Sequence, residues 1–406
     1  MDFSHAPKTQ EYLARLTAFI NEHIAPIADD VYEFMHTHNA HGDWRNWRLH
    51  PQIEQLKLLA RQEGLANLFL PDAEYGQGLT TLEYAPLAEE MGRYLFAPEI
   101  FNCNAPDTGN MEVLYHFGTD EQKTTWLMPL LKGEIRSVFG MTEPDVASSD
   151  ATNMQARIDF DGDDIVINGT KWWSTGLGHP NAKVIIFMGL SNPENDRHAQ
   201  HSMVIVPLDS QGLTIKRMLT AYGDYDAPYG HGEMVLDNVR VPKENLIMGP
   251  GKGFAIAQGR LGPGRIHHCM RSIGMAEEAL ALGIKRALSR TAFGKPLTEL
   301  GGNKERIAMA RMKIEQARLL TLQAAWKIDH LGVKNAMTDI SAIKVVVPQM
   351  LQEIIDMSVQ LHGGGGMCHD FPLARFMAGA RSLRLADGPD EVHMAMVSRL
   401  ELKKYK

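Results

Sequence analysis

The period of the hydrophobic pattern changes twice along the chain, and those two changes limit the fold more than any single motif does. Up to about residue 135 apolar side chains recur at helical spacing. Leu13, Leu16, Phe19, Ile20 and Ile24 share one face until Pro26, and Ile53, Leu56, Leu59 and Ala60 share another before Gly64, a residue placed to stop a helix. Thr80 with Glu83 and Thr119 with Gln122 have capping-box spacing, which predicts helix starts at both. From about 136 to 245 the period falls to two. Met154, Ala156, Ile158 and Phe160 alternate with Gln155, Arg157 and Asp159, and Asp161-Gly162 supplies a hairpin turn before Ile165, Val166 and Ile167. Further strands are expected at 184–188, 203–206 and 234–241, with Pro207 and Pro242 as punctuation. Helical spacing returns at about 254, and the segments 273–288, 307–331 and 337–361 are long enough for a packed bundle. The expected fold class is α+β, mostly α. It divides into a helical domain at 1–135, a central β-barrel or sandwich at 136–245 and a helical bundle at 246–406.

Several function classes are disfavoured. A formal charge of -8 offers no basic stripe for nucleic acid. Cys103, Cys269 and Cys368 are odd in number, far apart and without a CxxC pair, which speaks against a disulfide framework or structural zinc and suits a reducing compartment. No metal site is expected. The first residues, MDFSHAPKTQEYL, show neither a secretory nor a transit pattern, and no apolar run is long enough to cross a bilayer. A cytoplasmic enzyme without a membrane partner is the expectation, although a processed organellar protein would look the same. Gly249, Gly251 and Gly253 lack P-loop spacing, and no GxGxxG follows a strand, so these glycines read as a lead-in to the helix near 254. His267 and His268 point about 100° apart on a helix and cannot chelate together. One is read as packing and the other as solvated.

The stretch suited to chemistry is Phe139 to Asp150, FGMTEPDVASSD, with Trp172, Trp173, Ser174 and Thr175. Pro144 and the small hydroxyl residues make it a loop at the edge of the β region. There, backbone N–H groups and the hydroxyls of Thr142, Ser148 and Ser149 can face a flat polar ligand while Trp173 stacks on one side. An isoalloxazine fits that description. MTEPDVASSD followed by NGTKWWSTG resembles the flavin-binding signature of the acyl-CoA dehydrogenase family, and further family-like segments in matching order cover nearly the whole chain.

The resemblance implies the acyl-CoA dehydrogenase fold, with an N-terminal helical domain, a central β-barrel and a C-terminal four-helix bundle, and bound FAD. Phe139, Met141, Thr142, Ser148, Trp173, Ser174 and Thr175 would be its first group of cofactor-binding residues. RTAFGKP resembles the segment in which the arginine, here Arg290, meets the flavin pyrophosphate and the phenylalanine, here Phe293, packs near the adenine end across a subunit boundary. In QLHGGGG the helix ends in four glycines, more than a cap requires. The resemblance sets Gln360, Gly363 and Gly364 against the adenine half of a FAD held mainly by a neighbouring subunit, which implies a homodimer or homotetramer.

The reacting group implied is Asp387 in LADGPDE. An isolated Asp-Gly is only a turn. This one follows the glycine run at the spacing of the family's base, usually a Glu before Gly. Residues 387–391 then correspond to the base, Gly388, and contacts from Pro389 and Glu391 to the flavin diphosphate and adenosine. Thr is common in the family where Pro389 stands, and proline has no hydroxyl to make that contact. The family's second location for the base, on the first long C-terminal helix before an arginine, is Gly264 beside Arg265, and glycine accepts no proton. Arg265 either holds the loop carrying Asp387 by a charge-assisted hydrogen bond or pairs at a helix start. Ser148, Arg265 and Gly388 are the expected substrate contacts.

The mechanism implied is α-proton removal from an acyl-CoA by Asp387 with β-hydride transfer to flavin N5. It gives a trans-2-enoyl thioester, with electron-transfer flavoprotein as acceptor. Asp is shorter than Glu, and Ala386 stands where the family often has Tyr. GRLGPGRIHHCMR with DGPDEVH most resembles the subgroup whose vertebrate members are fused to a kinase-like phosphotransferase domain, which points to a hydroxylated or branched acyl group. A flavin oxidase of the same fold, acting on acyl-CoA or a nitroalkane with O2 as acceptor, is the alternative.

Overall fold

Residues 4–406 are described by the computed structural model. They fall into two compact units: one holds the segments up to Glu33, Leu58–Cys103 and Gly264–Lys406, the other Phe34–Lys57 and Asn104–Pro263. The longer helices are α1 Pro7–Phe19, α2 Ala28–Asn39, α3 Pro51–Gln62, α4 Thr81–Met91, α5 Asp107–Phe117, α6 Gly253–Ser289, α7 Asn303–Leu331, α8 Met337–His362, α9 Leu373–Leu383 and α10 Asp390–Leu402. The strands are β1 Arg136–Gly140, β2 Arg157–Asp161, β3 Asp164–Thr175, β4 Ala182–Leu190, β5 His201–Pro207, β6 Leu213–Leu219, β7 His231–Pro242, and the short β8 Thr291–Ala292 and β9 Lys295–Pro296. The order is helices first, a sheet in the middle and helices last, as the resemblance implies.

Local sequence accounts for most boundaries. After α1 the chain passes through a π turn at Ile20–Ile24 and a 3-10 turn at Ala25–Ile27, because Pro26 has no N–H to continue the ladder. Thr80 accepts from the Glu83 N–H at 3.2 Å while Glu83 accepts from the Thr80 N–H at 2.9 Å, and Thr119 and Gln122 reciprocate in the same way. Gly64 ends α3 at φ 66°, the left-handed conformation that favours glycine.

In the helical unit α8 packs against α7, α9 and α10, and α4 against α1 and α7. The fourth member expected of the bundle is thus split into α9 and α10 by the turn at 384–389. Helices α4 and α6 meet backbone to backbone. A Cβ on Gly92 would stand 2.1 Å from the Arg271 carbonyl oxygen, and one on Gly274 1.8 Å from that of Glu89.

The second unit is built on one seven-stranded sheet in the order β1-β4-β2-β3-β7-β6, with β5 paired to β4. The β2–β3 hairpin forms at the expected turn, pairing Ile158 with Ile167 and Asp161 with Asp164. Ile158, Ile165, Ile167, Ile185, Phe187 and Val204 are core, whereas Phe160, grouped with them by alternation, is 38% exposed. Strands β1 and β6 lie outside the sequence expectation. In β1 the polar Arg136 and Ser137 are buried because Asp107 at the start of α5 forms an ion pair with Arg136, 2.7 Å from its Nη2, and accepts from the Ser137 N–H at 2.6 Å.

Candidate functional site

Two groups of the anticipated residues occur, one in each unit. In the sheet unit, β1 ends at Gly140 and the chain enters the loop 141–156. A buried ion pair fastens this loop to β3. Lys171 Nζ lies 2.6 Å from Glu143 Oε1 and also donates to the Met141 carbonyl at 2.8 Å, while Glu143 accepts from the backbone N–H groups of Gln155 and Ala156. Burial pulls the Lys171 ammonium down to about 8, and Glu143 opposes that shift. Trp172 N–H donates to the Thr142 carbonyl at 3.0 Å.

Next to this anchor β3 departs from its ladder. The β3–β7 register shifts between Lys171 and Ser174, so Trp172 and Trp173 lie in a bulge, and Trp173 takes φ 50° with its ring 40% exposed. A bulge re-aims a side chain in this way. Ser174 Oγ and Trp172 Nε1 are buried with no hydrogen-bond partner among the described residues. Buried polar atoms of that kind call for a ligand or water. Other expected hydroxyls are engaged internally: Ser148 accepts from the Glu143 N–H at 2.9 Å, and Thr175 Oγ1 lies 3.0 Å from His231 Nδ1. The Phe139 ring is covered by the Arg260 guanidinium at 3.7 Å from its centroid, and Arg260 donates to Asn110 Oδ1 at 3.1 Å.

Glu112 lies below this cluster, 5% exposed, and burial pushes its carboxyl up to about 8 against the pull of Arg260. Between the ordinary value of 4.5 and about 8 the folded chain holds a proton that the unfolded chain releases, so stability falls as pH rises through that window. The parent protein is therefore expected to lose more thermal stability between pH 5 and pH 8 than Glu112→Gln. Equal slopes for the two would refute this.

In the helical unit Asp387 lies in the turn between α9 and α10, at φ 55°, followed by Gly388 at 103°. Side chains from three helices clamp that turn. Arg265 Nε on α6 donates to the Asp387 carbonyl at 3.0 Å, and His393 Nε2 on α10 lies 3.2 Å from the same oxygen. Lys344 on α8, fully buried, donates to the Leu383 carbonyl at the end of α9. Asp390 pairs with Arg384 at 2.8 Å and accepts from Gln349 at 3.0 Å. Of the two readings of Arg265 left open by sequence, the geometry matches the loop-holding one, through the backbone carbonyl of Asp387. Burial lowers the affinity of Arg265 and Lys344 for their protons and pushes His393 down to about 4, so this histidine is neutral.

The Asp387 carboxyl is 18% exposed, with Oδ2 3.4 Å from His268 Nε2. A Cβ on Gly264 would also lie 3.4 Å from Oδ2, so the two sequence positions associated with a base adjoin each other here. His267 is buried against Tyr84, with ring centroids 5.1 Å apart, and burial pushes it down to about 3. His268 corrects the expectation that one of the pair is solvated. Its side chain is 19% exposed and faces the acidic turn. Two residues apart by 119 positions in the chain carry no local signal of such a contact.

The remaining anticipated residues of this unit are near the surface. Arg290, Gln360, Gly363, Gly364 and Glu391 are exposed and Pro389 is half-buried. Phe293, at the tip of the β8–β9 hairpin, is 96% exposed at φ 51°. Nothing lies within 4 Å of a Cβ built on Gly363 or Gly364.

Family models for the acyl-CoA dehydrogenase N-terminal, middle and C-terminal domains match residues 7–134, 138–239 and 251–401. Acyl-CoA dehydrogenase family member 10 of Mus musculus is 52% identical over 403 residues, covering 98% of this chain and 37% of that protein. Family member 11 of Gallus gallus is 51% identical over 402 residues, covering 98% and 51%. The chain thus spans only part of these longer relatives, whereas FadE2 of Mycobacterium tuberculosis, assigned as an acyl-CoA dehydrogenase, is 49% identical over 100% of this chain and 98% of its own. A solved structure from Mycobacterium abscessus, assigned to the same activity, superposes with TM-score 0.97 at 56% identity over the full length of both. Butyryl-CoA dehydrogenase from Megasphaera elsdenii follows the fold at TM-score 0.80 and 26% identity, over 99% of this chain and 100% of that one. The chain belongs to the acyl-CoA dehydrogenase family.

Proposed function

We propose that the chain is an FAD-dependent acyl-CoA dehydrogenase that converts an acyl-CoA to its trans-2-enoyl thioester, with Asp387 as the base. The observation that carries this reading is the clamped turn, which holds a single partly exposed carboxyl at a fixed backbone position inside a chain of this family. Residues of the sheet unit fit a flavin: the bulge exposes the Trp173 ring, and Ser174 presents a buried hydroxyl without a protein partner. Met141, Thr142, Trp173, Ser174 and Thr175 would hold the ring, with Phe139 and Ser148 supporting them.

When bound, the flavin supplies the acceptor for the substrate's β-hydride. Asp387 takes the α proton, a task that needs a positioned carboxylate because hydrogen α to a thioester is only weakly acidic. Arg265 and His393 grip the Asp387 carbonyl and so hold the turn that carries its N–H, which would donate to the thioester oxygen as enolate character develops. The exposed Ala386 leaves room beside the acyl chain, so a hydroxylated or branched acyl-CoA is the favoured substrate class, with Gly388 beside it.

Arg290, Phe293, Gln360, Gly363, Gly364, Pro389 and Glu391 would meet the diphosphate and adenine end. A phenylalanine 96% exposed on a hairpin tip fits burial by a second copy, in a homodimer or homotetramer. Electron-transfer flavoprotein is the proposed acceptor.

The test is anaerobic bleaching of the purified yellow protein by straight-chain, branched and 4-hydroxy acyl-CoAs. Bleaching that is fastest with the substituted chains is expected. Preference for short unsubstituted chains would overturn the substrate class, and no bleaching by any thioester would overturn the activity. Stoichiometric peroxide in air would instead assign a flavin oxidase.

A further inference from the structure

We propose that His231 is a positioning residue for the flavin: as the neutral imidazole with its proton on Nε2, it holds the Thr175 hydroxyl so that the oxygen presents lone pairs, and not a hydrogen, to the ring. The proposal rests on the reading of Trp173 and Thr175 as flavin contacts.

The pairing follows from the sheet. Strands β3 and β7 run antiparallel with Thr175 directly opposite His231, which puts the two side chains on one face. Thr175 Oγ1 lies 3.0 Å from His231 Nδ1. The same imidazole lies against Trp173, with ring centroids 5.5 Å apart, so one side chain touches two of the residues read as flavin contacts. On its other edge His231 Nε2 is 3.5 Å from Asp226 Oδ2. A turn holds Asp226 there. Its carbonyl accepts from the N–H groups of Tyr229 at 3.0 Å and Gly230 at 3.1 Å, and its own N–H donates to Asp224 Oδ1 at 2.8 Å.

A carboxylate only accepts, so the single proton of a neutral imidazole stands on Nε2, toward Asp226, and Nδ1 is left to accept. Thr175 then donates to Nδ1. A hydroxyl has one hydrogen, and with that hydrogen committed its oxygen offers a ligand lone pairs alone. A ring carbonyl finds no donor at this oxygen, whereas a ring N–H finds an acceptor. The reduced isoalloxazine carries more N–H groups than the oxidised ring, so a hydroxyl fixed in this sense favours the reduced form and raises the reduction potential of the bound flavin. A cross-strand pair that only stabilised the sheet would leave that potential alone.

The test is the midpoint potential of the FAD-loaded protein, measured by equilibration with a reference dye, together with FAD content and melting temperature. His231→Leu frees the Thr175 hydrogen to turn toward the ring. It is expected to keep FAD and stability while its preference for reduced over oxidised flavin falls about 10-fold, a drop of about 30 mV for a two-electron couple. His231→Asn, whose side-chain oxygen can accept in place of Nδ1, is expected to recover most of the parental potential. In a Thr175→Val background, His231→Leu is expected to change the potential no further, because the effect runs through the hydroxyl. A Leu variant at the parental potential, an Asn variant no better than Leu, or an undiminished drop in the Val background overturns the proposal while leaving the flavin reading in place. Failure of the parent protein to take up FAD removes that reading, and the proposal with it.

Discussion

Asp387→Asn is expected to lower turnover by about 10² to 10⁴, the usual scale for loss of a general base, with flavin content unchanged. The substitution is close to isosteric and removes only the ability to accept a proton. The contacts from Arg265 and His393 go to the Asp387 backbone carbonyl, so the turn should keep its shape. The drop should therefore appear in kcat and in the rate of flavin bleaching, with little change in the melting temperature. A variant that bleaches at close to the parental rate would mean that another group takes the proton.

The second large effect is structural and is expected at Lys171→Met. Lys171 is fully buried and Glu143 6% exposed, and the pair joins the loop 141–156 to β3. Removing the cation strands a carboxylate in the interior, which costs about 3–5 kcal/mol for a buried pair broken on one side. It also releases the Met141 carbonyl, so the loop beside Trp173 should loosen and flavin should be lost on dilution. Replacing both partners, Lys171→Met with Glu143→Gln, should recover part of the stability because no lone charge remains. Urea unfolding and the flavin-to-protein ratio read the two effects. A single variant within about 1 kcal/mol of the parent, still fully yellow, would show that the pair is not what fastens the loop.

Features governed by neighbours in the chain were legible from sequence. The Thr80 and Thr119 capping boxes, the stop at Gly64 and the hairpin at 161–164 depend on a few residues each, and all four form where the pattern puts them. Features governed by partners far away were not. Arg136 and Ser137 hide a strand because their polarity is answered by Asp107, on another element. The Glu143–Lys171 pair, 28 residues apart, and the His268–Asp387 contact have no local trace at all. Arg260 over Phe139 changes what that phenylalanine offers, from an open ring to a covered one, and only the packed structure shows it.

The close crossing of α4 and α6 at Gly92 and Gly274 bears on how the acidic turn is addressed. Because main chain touches main chain there, α6 can neither slide nor roll against α4, and its phase is pinned six residues beyond His268. One extra residue inserted between 268 and 274 would swing the imidazole by about 100°, off the carboxyl, while the glycine crossing stayed where it is. Two residues without side chains thus act as the datum from which the placement of His268 against Asp387 is measured.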